Sequence, residues 1–118
     1  AHAFGTTVNG RSIFEFGEVS TCSMHATKLF HTVEGGSVSC RDEAVFRRIS
    51  LMRNFGHNGP NQFDGAGING KNSEIHAAMG IANWKYIEDI LAQRRKIAQG
   101  YEEVLKNSNF LQIYLHYS

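Results

Sequence analysis

The chain has 118 residues, a net charge of +1 and 42% hydrophobic side chains, which suits a single domain with a hydrophobic core. A net charge so close to zero, without a dense run of lysine and arginine, gives no electrostatic reason to expect a nucleic acid or an anionic membrane as partner. No apolar stretch approaches the roughly 20 residues of a membrane-spanning helix, and two cysteines are too few for a disulfide framework, so we expect a cytoplasmic protein.

The first 40 residues are predicted to form strands and loops. Glycines punctuate this part of the chain, and Asn9-Gly10 is a strong turn signal. Residues 19–24 and 36–40 are predicted as two short strands. Cys22 and Cys40 fall in these strands, where a cysteine often packs as a small apolar residue.

A helix is predicted after the second strand. Asp42 suits the N-cap position, and apolar side chains recur at helical spacing from Val45 to Met52. Gly56 is a natural stop, because glycine commonly ends helices. Residues 54–70 then form a loop rich in glycine and asparagine, and a loop of this length in a compact domain is usually functional or disordered.

Residues 73–106 show the strongest helical periodicity of the chain, and no proline interrupts them. This segment is predicted as one long helix or as two helices with a bend near residues 83–84. The basic run at residues 94–96 lies within it and is interpreted as a solvent-exposed face. Residues 110–115 are predicted as a final strand.

One local arrangement points to chemistry. Lys28 follows a predicted strand, and Ser23 lies at the end of that strand. Ligands of α/β proteins bind at strand ends, where a partly desolvated lysine amine can form a Schiff base with a carbonyl cofactor. The Ser23 hydroxyl suits a phosphate group. A single lysine after a strand is nevertheless most often a solvated surface residue, so the residues alone leave the ligand open.

Other kinds of site have weaker support. The spacing of six histidines matches neither H-x3-H, nor HExxH, nor a cysteine–histidine zinc pattern, so no metal site is predicted. His76 lies in the helical segment and is expected to pack or to form a hydrogen bond there. The sequence contains no G-x-S-x-G elbow, no phosphate-binding P-loop and no G-x-G-x-x-G after a strand.

Five motifs in register resemble the DegT/DnrJ/EryC1/StrS family of sugar aminotransferases and cover nearly the whole chain. They are Ser23-Met24-His25-Ala26-Thr27-Lys28, Glu34-Gly35-Gly36, Arg53-Asn54-Phe55-Gly56, the run from Gly67 to Glu74 with Ala77-Ala78, and Arg94-Arg95-Lys96-Ile97-Ala98 with Tyr101 and Leu105. The resemblance implies an α/β fold of the type I pyridoxal-phosphate class, with strands of a mostly parallel sheet plus long helices. It also implies that residues 1–118 form a single partial domain, the central to late part of the large domain, without its N-terminal part or the C-terminal small domain.

The resemblance assigns roles to four residues. Lys28 matches the lysine that holds pyridoxal 5'-phosphate as a Schiff base and then serves as general base and acid of the proton shift. Ser23 matches a serine that contacts the cofactor phosphate, and His2 stands where the family has glutamine or histidine beside the pyridine ring. Asn69 matches an asparagine that reaches the phosphate from the partner subunit, which implies a homodimer.

The implied reaction moves an amino group from an amino acid, with glutamate as the expected donor, to a nucleotide-linked keto-sugar. The family aspartate that pairs with the pyridinium nitrogen would precede Ala1, so the 118-residue chain is expected to be inactive alone. Lys71 stands where relatives often carry arginine. Two alternatives remain: an inactive structural or interaction fragment, and a sugar dehydratase relative. Because that dehydratase variant typically replaces the lysine by histidine, Lys28 favours transamination.

Overall fold

The computed structural model describes residues 3–106, so His2 and the strand predicted at 110–115 lie outside the described residues. The elements, in chain order, are β1 (Thr7–Val8), β2 (Arg11–Ser12), a 3-10 helix (Ile13–Glu15), β3 (Val19–Ser23), β4 (Gly36–Cys40), α1 (Glu43–Met52), α2 (Glu74–Trp84) and α3 (Ile87–Leu105). β1 pairs with β2, and β3 pairs with β4. The strands predicted near 19–24 and 36–40 and the helix predicted after Asp42 are confirmed.

The turn predicted at Asn9-Gly10 connects β1 and β2. The φ angles of Asn9 and Gly10 are 51° and 74°, so both residues lie in the left-handed region. Asparagine and glycine tolerate this region better than other residues, and two such residues in succession match the twist of a tight antiparallel hairpin.

The β3–β4 pair is antiparallel, with Val19 opposite Cys40 and Ser23 opposite Gly36. The predicted parallel arrangement is therefore not found between the strands of residues 3–106. A parallel pair requires a crossover, usually a helix, whereas here the chain returns directly along β3 through residues 24–35. A Cβ atom on Gly36 would lie 2.8 Å from the Cys22 carbonyl oxygen, so this pairing requires glycine at position 36.

Helix α1 begins at a side-chain cap. The Asp42 carboxylate accepts a hydrogen bond of 2.9 Å from the N–H of Val45, one of the groups that a helix N-terminus leaves without an internal partner. The chain leaves the helix after Met52 and turns at Gly56, whose φ angle is 78°. The predicted cap and stop are both confirmed.

Replacing Asp42 by alanine should lower the free energy of unfolding by about 1 kcal/mol, because the Val45 N–H loses its acceptor and the helix loses a negative charge at its N-terminus. Chemical denaturation followed by circular dichroism measures this difference. Glu43→Gln is the matched control, since it removes a carboxylate of the same turn without removing the cap. An equal loss in both variants would contradict the capping role.

Residues 73–106 contain two helices, which is one of the two arrangements predicted from the sequence. Helix α2 ends at Trp84, and Tyr86 then takes a non-helical conformation before α3 begins at Ile87. Ser73 caps α2 by accepting a hydrogen bond from the N–H of His76, and the His76 ring lies 3.0 Å from the same hydroxyl. The predicted bend and the predicted hydrogen bond of His76 are thus confirmed.

The buried core lies where residues 24–35 pack against the helices. Phe30 is 8% exposed, and its ring stacks on that of Phe4 at a centroid distance of 4.7 Å. Trp84 meets both rings edge-on, at 5.8 Å from Phe30 and 6.5 Å from Phe4. Edge-to-face and offset contacts of this kind are favourable for aromatic pairs. None of the described helices is long and apolar enough to span a lipid bilayer.

Candidate active site

Residues 24–35 connect β3 to β4 and carry Lys28; this segment is called the lysine loop below. Its base continues the β3–β4 ladder, since the N–H of Met24 donates to the Gly35 carbonyl at 2.9 Å. The N–H of Thr32 in turn donates to the Met24 carbonyl, also at 2.9 Å. The loop is therefore closed at its base by backbone hydrogen bonds, and Lys28 lies in the part beyond them.

Lys28 lies in a tight turn directly after β3. Its N–H donates a hydrogen bond of 2.9 Å to the carbonyl of His25, which closes the turn over residues 25–28. The residue is half-buried. A lysine amine at this place could form a Schiff base with a carbonyl cofactor.

Ser23 is the last residue of β3 and is also half-buried. Its hydroxyl oxygen accepts a hydrogen bond of 3.4 Å from the N–H of His25. A hydroxyl has one hydrogen to donate besides its two acceptor positions, so this contact leaves the Ser23 proton able to donate to an anionic oxygen. The hydroxyl chemistry of Ser23 fits a phosphate group.

Thr32 is a residue of this site that sequence reasoning missed. It is 4% exposed, and its hydroxyl donates a hydrogen bond of 2.6 Å to the carbonyl of Glu34. Its methyl group faces α2, where a Cβ atom on Gly80 would come within 2.9 Å of it. Thr32 therefore uses its backbone, its hydroxyl and its methyl group to hold the lysine loop in shape and against the helix. A lone threonine in a loop has no periodic pattern that would have revealed this role.

A second contact fastens the lysine loop to α2. The side-chain amide of Asn83 donates a hydrogen bond of 2.9 Å to the carbonyl of His31, 52 residues away in the chain. Val33, on the far side of Thr32, adopts a φ angle of 69°. That region is sparsely populated for a β-branched residue, so the loop is held in a locally strained form by these surrounding contacts.

Replacing Thr32 by valine should lower the free energy of unfolding by about 1 kcal/mol, because valine keeps the shape but cannot donate to the Glu34 carbonyl. Thr32→Ser keeps the hydroxyl and loses only the methyl group that faces Gly80. Hydrogen exchange at the Met24 and Thr32 amides, read by NMR, locates the effect. Faster exchange in the valine variant with slow exchange in the serine variant is expected. The reverse order would contradict the hydroxyl's role.

A groove of about 520 Å³ opens beside the base of the lysine loop. It brings Ser23 together with Asn69, two of the residues predicted to contact a phosphate, whereas Lys28 is not part of its wall. The wall is polar and rich in small residues, namely Thr21, Cys22, Ser23, Gly35, Gly36, Ser37, Val38, Asn69, Gly70, Lys71 and Asn72. Asn69 itself pairs in an isolated antiparallel bridge with Asn54. The predicted contact of Asn69 with a cofactor on the partner subunit remains a prediction.

Lys71 is fixed at one side of this groove by an aromatic ring. Its ammonium nitrogen lies 4.3 Å from the centroid of the Phe55 ring, a cation–π contact worth about 0.5–1 kcal/mol at an exposed position. Arginine is the residue that the family resemblance leads one to expect at this position. A lysine cannot form the two parallel hydrogen bonds of a guanidinium, and this one is held over Phe55 instead.

The described histidines lie apart from one another as possible metal ligands. Over residues 3–106, no group of three or more histidine, cysteine, aspartate or glutamate side chains converges on a point where an ion could sit. Both cysteines are free thiols, with Cys22 buried in β3 and Cys40 half-buried at the end of β4.

The described residues fit a carbonyl cofactor that carries a phosphate. Lys28, a half-buried residue, supplies an amine, Ser23 supplies a hydroxyl with a proton to donate, and Gly35 and Gly36 leave the backbone open beside Ser23. These are groups that a pyridoxal-phosphate-dependent aminotransferase would need at a strand end. The chain belongs to the DegT/DnrJ/EryC1/StrS aminotransferase family, whose sequence profile matches residues 1–116.

Individual relatives agree with this assignment. The chain is 35% identical over 107 residues to dTDP-4-amino-4,6-dideoxy-D-glucose transaminase of Shigella dysenteriae, covering 91% of this chain and 29% of that protein. It is 33% identical over 113 residues to GDP-perosamine synthase of Escherichia coli O157:H7, and the match covers 94% of this chain and 30% of that protein. The crystal structure of DesI with its TDP-sugar product matches with a TM-score of 0.86 at 33% identity, covering 98% and 30%. The chain thus spans about 30% of the length of these relatives. The predicted α/β fold and family are confirmed.

Proposed function

We propose that this chain is the lysine-bearing part of an enzyme that transfers an amino group to a nucleotide-linked keto-sugar, with pyridoxal phosphate held on Lys28. The observation that carries the proposal is the turn over residues 25–28. It starts two residues after Ser23, holds the half-buried Lys28 by its own N–H, and rests on a loop whose base is closed by hydrogen bonds. Such preorganisation is what a nucleophilic amine requires.

Each residue has a defined task in this proposal. Pyridoxal phosphate supplies an electron sink for the bond that breaks at the amino-acid carbon. The Lys28 amine would hold the cofactor and would serve as the general base and acid that moves a proton from one carbon to another. Ser23 donates its hydroxyl proton to a phosphate oxygen. Asn69 would contact the phosphate bound by the partner subunit of a homodimer, and His2, which lies outside the described residues, is assigned to the pyridine ring by the family resemblance alone.

The names of the relatives support the choice of substrate class. Those names mention a dTDP-linked amino sugar, GDP-perosamine and a TDP-sugar product, all of them sugars or sugar derivatives of the kind carried on nucleotides. Glutamate is the proposed donor, and the cytoplasm the proposed compartment. In this proposal residues 1–118 are one partial domain, in which β3 and β4 adjoin the mostly parallel sheet of a larger domain.

Transfer of labelled nitrogen tests this function. The full-length protein that carries this chain is incubated with pyridoxal phosphate, ¹⁵N-glutamate and a nucleotide-linked 4-keto-sugar, and the sugar is analysed by mass spectrometry. The expected product is a nucleotide-linked amino sugar that contains ¹⁵N, formed only when pyridoxal phosphate is present. Loss of water from the sugar without gain of nitrogen would contradict transamination.

A further inference from the structure

His25 connects the two residues to which the cofactor is assigned. Its N–H donates to the Ser23 hydroxyl at 3.4 Å, and its carbonyl accepts from the N–H of Lys28 at 2.9 Å. The family resemblance gives this histidine no task, and neither does the proposed transfer reaction. Its backbone nevertheless links the Ser23 hydroxyl to the backbone of Lys28.

The ring of His25 folds back onto the same turn. Its Nδ1 atom accepts a hydrogen bond of 3.2 Å from the N–H of Thr27 and lies 3.0 Å from the Thr27 hydroxyl. A backbone N–H is always a donor, so Nδ1 has to present a lone pair and cannot carry a proton. The neutral ring therefore has its proton on Nε2.

The Nε2 atom faces a carboxylate on the opposite arm of the lysine loop. It lies 3.5 Å from Oε1 of Glu34, and the backbone of Glu34 is itself fixed because its carbonyl accepts the Thr32 hydroxyl. The His25 and Glu34 side chains are 46% and 65% exposed, so their attraction is weak. The carboxylate acts on the choice of tautomer, because a negative charge beside Nε2 favours a proton on Nε2 and leaves Nδ1 as an acceptor.

We propose that His25, oriented by Glu34, is the positioning residue for Lys28. The ring replaces the short acceptor side chain that asparagine or aspartate provides in an Asx turn, in which a side-chain oxygen accepts a backbone N–H two residues on. It thereby fixes residues 25–28 in the conformation that presents the Lys28 amine. This inference rests on the proposed function of Lys28, and it adds a residue and a tautomer that the proposed function does not specify.

Three variants separate the parts of this network. His25→Ala removes the acceptor, whereas His25→Asn restores an acceptor oxygen for the Thr27 N–H but is too short to reach Glu34. Glu34→Gln keeps an oxygen beside Nε2 and removes the charge. Glu18→Gln is the matched control, because it removes an exposed carboxylate outside the loop.

Two measurements on the purified chain report the turn itself. Imidazole ¹⁵N NMR should show His25 protonated on Nε2 and unprotonated on Nδ1. Hydrogen exchange at the Thr27 and Lys28 amides should become roughly five-fold faster in His25→Ala, the effect of one lost hydrogen bond, and should return close to the original rate in His25→Asn. A ring protonated on Nδ1 would overturn the proposal, and so would unchanged exchange in His25→Ala.

A third measurement reports the amine. The protein is treated with pyridoxal phosphate and borohydride, and labelling of Lys28 is compared with that of Lys85 in the same molecule by peptide mass spectrometry. The Lys28 to Lys85 ratio should fall roughly five-fold in His25→Ala, recover in His25→Asn and stay unchanged in Glu18→Gln. A merely structural role would change the melting temperature without this recovery. Equal labelling of Lys28 in the original protein and in His25→Ala would overturn the positioning role of His25 and leave the proposed function of Lys28 standing. No selective labelling of Lys28 in the original protein would contradict the proposed function as well.

Discussion

Replacing Lys28 by alanine should abolish the adduct that borohydride fixes between pyridoxal phosphate and the protein. In the full-length enzyme, amino transfer should fall by roughly 100- to 10,000-fold, the range expected when a general acid–base group is lost. The turn itself should survive, because alanine keeps the backbone N–H that bonds to the His25 carbonyl. Absorbance of the bound cofactor and peptide mapping after reduction measure the adduct, and the ¹⁵N transfer assay measures the turnover.

Lys85 and Lys71 provide the controls for this experiment. Lys85 is exposed just after α2, and Lys71 is exposed and held over Phe55. Alanine at either position should leave the Lys28 adduct in place. An adduct that persists in Lys28→Ala, or that spreads evenly over several lysines in the original protein, would contradict the assignment of Lys28.

Replacing Gly35 by alanine should lower the free energy of unfolding by about 2–5 kcal/mol, because a strained φ angle and a steric clash coincide there. The φ angle of Gly35 is 146°, which side chains rarely adopt. A Cβ atom there would also lie 2.5 Å from the Thr32 hydroxyl and 3.1 Å from the Asn72 amide nitrogen. Residue 35 would have to move away from both Thr32 and Asn72, which would distort the lysine loop.

Two further glycines separate the causes of that loss. Gly10 has a φ angle of 74° but no atom within 4 Å of a built Cβ, so Gly10→Ala tests backbone strain alone and should cost about 1 kcal/mol. Gly100 lies in α3 with open space around it, so Gly100→Ala should raise stability by about 0.5–1 kcal/mol through helix propensity. Urea denaturation of the three variants gives the comparison. A loss at Gly35 no larger than that at Gly10 would show that Thr32 and Asn72 exert no steric constraint.

The elements that the sequence predicted correctly depend on local chemistry. The cap at Asp42 and the turn at Asn9-Gly10 are each specified by residues only a few positions apart, so they are legible without the rest of the fold. The antiparallel pairing of β3 with β4 could not be predicted from the sequence, because short strands of small residues carry no sign of parallel or antiparallel pairing. The break before Ile87 was predicted only as one of two possibilities.

The candidate site divides in the same way. Lys28 and Ser23 were found because a lysine and a hydroxyl at a strand end have recognisable chemistry, and because their spacing resembles a family motif. Thr32 and the ring contacts of His25 were missed. Thr32 packs against Gly80 on α2, a contact that forms only in the folded chain. The His25 ring bonds to Thr27 within its own turn, but histidine is not a residue commonly associated with such turns.

The hairpin connection has a consequence for how the protein is made. Ser23, Lys28 and Gly35 are joined through neighbouring strands, and hairpins of this kind form within about 1–10 μs. During synthesis the loop can therefore begin to form well before α2 has left the ribosome, because translation adds only about 5–20 residues per second. A two-stranded hairpin alone is marginally stable in water, however. We therefore expect the nascent lysine loop to open and close until α2 has been synthesised. Gly80 can then pack against Thr32, and Asn83 can bond to the His31 carbonyl.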